Sequence, residues 1–183
     1  MTYILLADGF EEVEALCPLD LLIRAGVEVK TLSVKNELAV TGAHGIKIFA
    51  DMLLSDIKDG VLPEMVVLPG GMPGANNLFA SDAVKNMVLE AFSRGAFVTA
   101  ICAAPFILGR LGLLKGKEAI CYPGFEDALE SAKISDKKVV RDGNVITAAG
   151  MGVAIEFGYE LICALKGKET ADLVMTRILK EGV

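Results

Sequence analysis

The segment VTAICAAPFIL (residues 98–108) joins a strand-like run to a stretch that is typical of a helix start. Four residues that strands tolerate lead directly into Cys102, and small residues and Pro105 follow it. Proline is common at the first position of a helix, because its missing N–H would be unpaired there in any case. The segment therefore predicts a strand-to-helix unit with a cysteine in its turn.

Short apolar, β-branched runs alternate with helical patterns along the rest of the chain. Several runs are apolar on both faces, as expected of a parallel sheet that helices cover on both sides. This alternation predicts a three-layer α/β/α sandwich with a mostly parallel sheet and right-handed crossovers. The predicted strands are 3–7, 27–34, 65–69, 97–101, 118–122 and 144–149.

One segment has a different pattern. In LAVTGAHGIKIFAD (38–51), two short alternating runs flank a glycine-rich turn, which predicts a β-hairpin.

Helices are predicted at 81–94, where Ser81 can cap the first turn, and around apolar stripes at 153–165 and 171–179.

The composition fits one globular domain with a large core. The chain has 183 residues, of which 53% are hydrophobic and 23% charged, and a chain of this length buries about 70% of its unfolded surface. No linker or internal repeat interrupts the pattern, so residues 1–183 are expected to form a single domain.

The charge and the first residues exclude several classes of protein. The net charge of −6 comes without long runs of one sign, so no basic surface is offered to a nucleic acid. The first apolar run is only five residues long before it meets Asp8, too short for a signal peptide or a membrane span. We expect a cytoplasmic protein that binds neither nucleic acid nor membrane.

The cysteines do not form a recognisable framework. Cys17, Cys102, Cys121 and Cys163 lie far apart without a C-x-x-C pair, and His44 is the only histidine. A disulfide framework or a zinc site is therefore not expected. We predict reduced thiols, no metal and no cofactor.

Loops that follow strands are the places to search for chemistry, because open parallel sheets bind ligands beyond the carboxyl ends of their strands. Cys102 would sit in a sharp turn like that of a nucleophile elbow. The following helix N-terminus favours the thiolate over the thiol. The alternative is a buried cysteine that acts as a small hydrophobe, and spacing alone leaves both open.

Glu14, in the loop after the first strand, is the second candidate. Glu11 and Glu12 can stabilise a helix N-terminus through its dipole, whereas Glu14 is flanked by apolar residues and is expected to point inward. Burial raises the pKa of a carboxyl, so Glu14 would be protonated near neutral pH. A neutral carboxyl can donate a hydrogen bond to a thiolate and later move a proton.

The loop LPGGMPGANNL (68–78) is rich in glycine but lacks the Gly-Lys-Ser/Thr ending of a phosphate-binding loop. Its glycines can let backbone N–H groups approach a substrate oxygen, and the amides of Gly71 and Ala103 could form an oxyanion hole. The alternative is a tight turn that needs a positive φ.

Three segments together resemble the ThiJ/PfpI superfamily, and most closely its branch named after Parkinson disease protein 7. They are ADGFEEVEAL (7–16), VVLPGGMPGANNL (66–78) and TAICAAPFIL (99–108), and the similarity extends over essentially the whole chain. The resemblance implies a flavodoxin-like sandwich of the class I glutamine amidotransferase type. It also implies a homodimer and an oxidation-sensitive cysteine.

The resemblance also assigns roles to single residues. It places the nucleophilic cysteine on Cys102, the protonated glutamate on Glu14 and the oxyanion amides on Gly71 and Ala103, with Gly70 beside them. Members of the branch are assigned glyoxalase or deglycase activity, redox sensing and chaperone-like protection. Some bacterial members carry a thiazole monophosphate biosynthesis label, which these residues do not support.

Three positions depart from the family pattern. PfpI-type proteases place a histidine directly after the cysteine, where this chain has Ala103, which argues against a peptidase or amidase. Tyr122, a possible pocket residue, stands where relatives of the branch often have a histidine near the site. Tyrosine is a poor base at neutral pH, so proton transfer would depend on Glu14. His44 aligns with a position near the dimer interface, and it either lines the pocket or is a solvated turn residue.

Two functions remain as hypotheses. In the first, Cys102 and Glu14 convert a small 2-oxoaldehyde, or an early glycation adduct, without metal, cofactor or glutathione. In the second, the chain is a redox-sensing or chaperone-like stress protein whose Cys102 is oxidised but which turns over no substrate.

Overall fold

The elements alternate between strand and helix along the chain. The computed structural model describes residues 1–58, 60, 61, 63–180 and 182. The strands are β1 (Thr2–Leu6), β2 (Val29–Ser33), β3 (Ala39–Thr41), β4 (Lys47–Phe49), β5 (Met52–Leu53), β6 (Met65–Leu68), β7 (Phe97–Ile101), β8 (Glu118–Ala119), β9 (Lys133–Ile134), β10 (Val139–Asp142) and β11 (Val145–Ala148). The α-helices are α1 (Glu12–Arg24), α2 (Gly74–Ala80), α3 (Asp82–Ser93), α4 (Pro105–Arg110), α5 (Ala154–Lys166) and α6 (Lys168–Arg177).

A seven-stranded sheet forms the centre, in the order β10-β11-β7-β6-β1-β2-β5. Every pair in it is parallel except β10 with β11, which is antiparallel. From β1 the chain moves outward to β2, while β6 pairs on the other side of β1. The switch of direction therefore lies between β1 and β6, where such sheets bind their ligands.

Helices cover both faces of the sheet. Alternate residues of β1 show the division, because Ile4 and Leu6 pack in the core under α1, α5 and α6, whereas Tyr3 and Leu5 pack in the core under α2, α3 and α4. Side chains of neighbouring strand residues point to opposite faces, so one apolar strand supplies both cores. The three-layer α/β/α sandwich with a mostly parallel sheet is confirmed.

Most of the predicted elements are present. The hairpin is confirmed as the antiparallel pair β3–β4. The predicted helix at 81–94 is α3, whose Ser81 side chain accepts a hydrogen bond from the Val84 N–H at 3.4 Å. In the described residues no helix is both long and apolar enough to cross a membrane.

The predicted strand at 118–122 is mostly wrong. Only Glu118–Ala119 form a strand, and this short β8 pairs with β9 outside the central sheet. The Ile120 N–H donates to the side-chain oxygen of Thr147 in β11 at 3.0 Å instead of to a backbone carbonyl. The two edge strands of the central sheet, β5 and β10, were not predicted.

Candidate active site

Three loops meet at the carboxyl ends of the adjacent strands β1, β6 and β7. Backbone hydrogen bonds hold the first two loops together, from the Glu11 N–H to the Gly70 carbonyl at 3.0 Å and from the Gly74 N–H to the Gly9 carbonyl at 3.1 Å. The third loop carries Cys102, whose N–H donates to a carbonyl of β11 at 2.9 Å. The segments that the sequence singles out therefore form one site.

Cys102 occupies a strained turn between β7 and α4. Its φ is +64°, in the left-handed region that costs a residue with a side chain about 1–2 kcal/mol. The surrounding backbone holds it there, since the Tyr122 N–H donates to the Cys102 carbonyl at 2.7 Å. The side chain is half-buried, so the sulfur is supported by the fold and still open to a small reagent.

Glu14 lies in the first turn of α1 and is fully buried. Its Oε2 accepts a hydrogen bond from the Gly70 N–H at 2.9 Å. Its Oε1 is buried and, among the described residues, has no hydrogen-bond partner. Burial raises the pKa of Glu14 to about 7, although the nearby Cys102 side chain and the Gly70 and Met151 backbones oppose the rise.

The two side chains influence each other's proton. Burial raises the pKa of Cys102 to about 12, and the neighbouring Glu14 carboxylate adds to the rise, while the N–H groups of Ala103 and Gly71 oppose it. The pair therefore loses its first proton near pH 7, and the charge left behind delays the second. The sequence predicts a Cys102 thiolate, so the first proton would have to leave the sulfur while the Glu14 carboxyl stays protonated.

The Ala103 and Gly71 amides face the sulfur from two different loops. Gly71 has a φ of +85°, and a Cβ at this position would overlap the backbone of Glu11 and Gly9. Only glycine fits both requirements. The close approach of two loops therefore brings a second amide to the sulfur beside the one that follows Cys102 in sequence.

A cavity of about 380 Å³ lies near Cys102, and Tyr122 and Gly150 line it. A Cβ placed on Gly150 would lie 3.3 Å from the Tyr122 Cδ2 atom and 4.0 Å from the Cys102 Sγ atom. Because Gly150 has no side chain, the space between sulfur and cavity stays open. Tyr122 is therefore a wall of this cavity, and its ring is half exposed.

His44 does not contact Cys102 directly but pairs with the acids before Glu14. Its Nδ1 lies 2.8 Å from Glu12 Oε2 and 3.8 Å from Glu11 Oε1, and its N–H donates to Glu12 Oε1 at 2.9 Å. These contacts anchor the β3–β4 turn to the start of α1. Although burial alone would raise the pKa of the Glu12 carboxyl, its hydrogen bonds with His44 lower it.

The same three residues are the one group of potential metal ligands found in the described part of the chain. The ligand atoms of Glu11, Glu12 and His44 lie within 4.8 Å of one another. Both oxygens of Glu12 already accept hydrogen bonds from His44, so the contacts form an ion pair that needs no metal. The expected absence of a metal stays a prediction.

The model of the DJ-1/PfpI family matches residues 2–164. The chain belongs to this family. Protein dj-1beta of Drosophila melanogaster is 35% identical over 178 residues, which are 96% of this chain and 95% of the relative. A glutathione-independent glyoxalase of Caenorhabditis elegans is 29% identical over 167 residues, covering 90% of this chain and 88% of that protein.

The relative with the highest identity among these is longer. DJ-1 homolog A of Arabidopsis thaliana is 42% identical over 177 residues, which are 95% of this chain. The chain spans only 45% of that relative's length.

Solved structures of the family share the fold closely. A DJ-1 superfamily protein from Salmonella typhimurium has a TM-score of 0.94 and 35% identity, over 99% of this chain and 98% of its own. The oxidized DJ-1 of Toxoplasma gondii has a TM-score of 0.94 and 33% identity over the same shares. The resemblance to the Parkinson disease protein 7 branch is confirmed.

Several contacts of this family site were not predicted. These contacts join segments that are far apart in sequence: they are the approach of the Met151 backbone, the pairing of Glu12 with His44 and the cavity wall at Gly150. The only local signal was the sequence GMG at 150–152, whose glycines favour close approach of other groups. Tertiary packing decides the rest.

Proposed function

We propose that this chain is a cysteine-dependent, glutathione-independent enzyme of the glyoxalase or deglycase type. Its substrates would be small 2-oxoaldehydes such as methylglyoxal, or the early adducts they form with amines. Cys102 is the proposed nucleophile and Glu14 the proposed acid and base. The amides of Gly71 and Ala103 are proposed to stabilise negative charge on the substrate oxygen, with Gly70 holding Glu14.

The observation that carries the proposal is the pairing of Cys102 with a fully buried Glu14 whose pKa is raised to about 7. A group with that pKa gives and takes a proton readily at neutral pH, which is the requirement for acid–base catalysis. The Gly70 N–H holds one oxygen of the carboxyl, and the other oxygen has no hydrogen-bond partner in the described part of the chain.

The proposed reaction balances without a cofactor. The Cys102 thiolate adds to the aldehyde carbon, and Glu14 protonates the resulting oxygen to give a hemithioacetal. The Glu14 carboxylate then removes the proton from that carbon and returns it to the adjacent carbon, while the hydroxyl proton of the hemithioacetal moves to the adjacent carbonyl oxygen, which leaves a thioester of a 2-hydroxy acid. Water hydrolyses the thioester, releasing the acid and the thiolate, and the remaining proton returns to the Glu14 carboxylate. An amide donor of the Gly71 type is worth about 3 kcal/mol in such transition states.

The experiment is lactate formation from methylglyoxal without glutathione. Wild type should produce lactate, whereas Cys102→Ser and Glu14→Gln should lose at least 100-fold in kcat/KM, since general acid–base catalysis contributes about 100- to 10,000-fold. Cys163→Ser, on the outer helix α5, is the matched control and should keep the activity. A Cys102→Ser protein that forms lactate as fast as wild type would end the proposal.

A redox-responsive role is a second candidate, because the Cys102 sulfur is half-buried and two amides face it. A related structure is described as oxidized DJ-1 of Toxoplasma gondii. Mild peroxide should add oxygen to Cys102 before the other three cysteines, as mass spectrometry of the peptides would show. Equal or earlier oxidation of Cys17 or Cys163 would contradict this role.

We also propose that residues 1–183 form one domain and assemble as a homodimer, in the cytoplasm. Exposed apolar side chains on α1 and on the hairpin support an interface there, namely Val13, Ile46 and Phe49, the last 75% exposed. Phe49→Asp should convert a dimer of the wild type into a monomer in sedimentation velocity. A monomeric wild type would refute the assembly.

A further inference from the structure

The walls of the cavity beside Cys102 are mostly apolar. Tyr122, Pro123, Met151 and Val153 line it, together with small residues of the loop after β11. Lys138 is the single charged residue in that lining. A mostly apolar pocket with one well-placed charge is the usual form of a site that orients a small ligand.

The position of Lys138 is fixed by the edge of the sheet. Lys138 directly precedes β10, and its carbonyl accepts a hydrogen bond from the Ala149 N–H at 2.9 Å. This bond extends the antiparallel ladder of β10 with β11, in which Val139 faces Ala148. The next residue along the loop is Gly150, which lines the cavity and at which a Cβ would lie 4.0 Å from the Cys102 sulfur.

The ammonium group of Lys138 is available to a ligand. Its neighbours in the same region are paired, since Lys137 lies 3.6 Å from Glu118 and Arg141 lies 3.4 Å from Glu160. Within the described residues, Lys138 makes no ion pair with a carboxylate and is exposed. The charge at the cavity wall therefore has no carboxylate partner among the described residues.

We infer that Lys138 makes this site selective for carbonyl compounds that carry an anionic group, a carboxylate above all, on the side away from the reacting carbonyl. The inference rests on the proposed function for the reaction but adds the class of substrate. The chain as a whole repels anions, because its net charge is −6. A local cation at the cavity offsets that repulsion and orients the anionic end of the ligand away from Cys102.

The first test needs no turnover. Iodoacetate and iodoacetamide alkylate a thiol by the same displacement of iodide and differ mainly in charge, so the ratio of their rates at Cys102 measures preference for an anion. Lys138→Met should lower the ratio of iodoacetate to iodoacetamide about three- to fivefold, the range expected of an exposed charge. Lys137→Met, the adjacent and already paired lysine, is the matched control and should leave the ratio unchanged.

Added salt should reduce the difference between wild type and Lys138→Met, because it screens exposed charges. Raising the salt concentration should bring the ratios of wild type and Lys138→Met closer together, because salt screens both the attraction to Lys138 and the repulsion by the whole chain. An unchanged ratio in Lys138→Met, or an equal loss in Lys137→Met, would overturn the inference. Mass spectrometry of the Cys102 peptide gives both rates in one sample.

The second test measures turnover with a matched pair of substrates. Carboxyethylglyoxal ends in a carboxylate, and propylglyoxal has a methyl group in its place. The ratio of kcat/KM for the first over the second should fall about fivefold in Lys138→Met and further in Lys138→Glu, which reverses the charge. Equal ratios in wild type and both variants would overturn the inference.

The two tests separate this inference from the proposed function. A wild type that converts neither glyoxal, but shows the expected alkylation ratios, would refute the proposed function and leave the anion preference standing. A wild type that converts both substrates, with ratios that Lys138→Met does not change, would refute the anion preference and leave the proposed function standing.

Discussion

Replacement of Glu14 by glutamine tests the buried neutral carboxyl through the stability of the protein. Burial raises the pKa of Glu14 from 4.5 to about 7, so between these pH values the folded protein holds a proton that the unfolded chain has released. Stability therefore falls as pH rises through this window. The rise in pKa corresponds to about 3 kcal/mol in the free energy of unfolding, at 1.36 kcal/mol for each pH unit. This contribution to stability is lost above about pH 7.

Glutamine does not titrate, so Glu14→Gln lacks this loss. The difference in the free energy of unfolding between wild type and Glu14→Gln should shift by about 3 kcal/mol in favour of the variant between about pH 4 and pH 8. Urea unfolding at several pH values measures it. A second comparison, between Cys102→Ser and the double variant Cys102→Ser with Glu14→Gln, removes the contribution of the thiol. Parallel curves for the two proteins would refute the reasoning, because the carboxyl would then titrate as in the unfolded chain.

Three further changes test the surroundings of the pair. Gly70→Ala would place a methyl group 2.6 Å from Glu14 Oε2 and 2.7 Å from Cys102 Cβ. It should therefore lower the free energy of unfolding in urea by about 1–3 kcal/mol. Gly152→Ala is the control, because its methyl group would lie in open space, and it should change stability by less than about 0.5 kcal/mol. Cys102→Gly should be more stable than Cys102→Ala by about 1 kcal/mol in thermal unfolding, since glycine relieves the left-handed strain. Hydrogen bonding to a buried carboxylate raises the pKa of His44 above 6.5, so its contribution is complete below that pH and fades as pH rises through the raised pKa. His44→Ala should therefore lose more stability near pH 5, where Glu12 is ionised and His44 protonated, than near pH 8, and a gap to wild type that grows with pH would contradict the assignment.

The central strands could be predicted from the sequence because their signal is local. β1, β6 and β7 are apolar on both faces, and each runs into a loop with glycine, acid or cysteine residues. The two edge strands of the sheet carry weaker signals. β5 has only two residues, and β10 is interrupted by charge, so their pairing depends on neighbours that the sequence pattern does not reveal.

The candidate site divides in the same way. The positions of Cys102 and Glu14 follow from local patterns, a cysteine between strand and helix and a carboxyl flanked by apolar residues. The partner of His44 could not be predicted, because Glu12 lies 32 residues away in sequence. Lys138 reaches the cavity only through the register of β10 on β11, which no local pattern determines.

The pH dependence of the Cys102 sulfur tests the central claim most directly. Two signals report the ionised sulfur of Cys102. One is the rate of iodoacetamide alkylation at Cys102, and the other is the ultraviolet absorbance of the thiolate after subtraction of the absorbance of Cys102→Ser. If Glu14 keeps its proton while the sulfur ionises, both signals should rise with a midpoint at or below about pH 7, where the pair loses its first proton. Signals that rise only towards about pH 12, where burial and an ionised Glu14 would hold the thiol, would contradict the account.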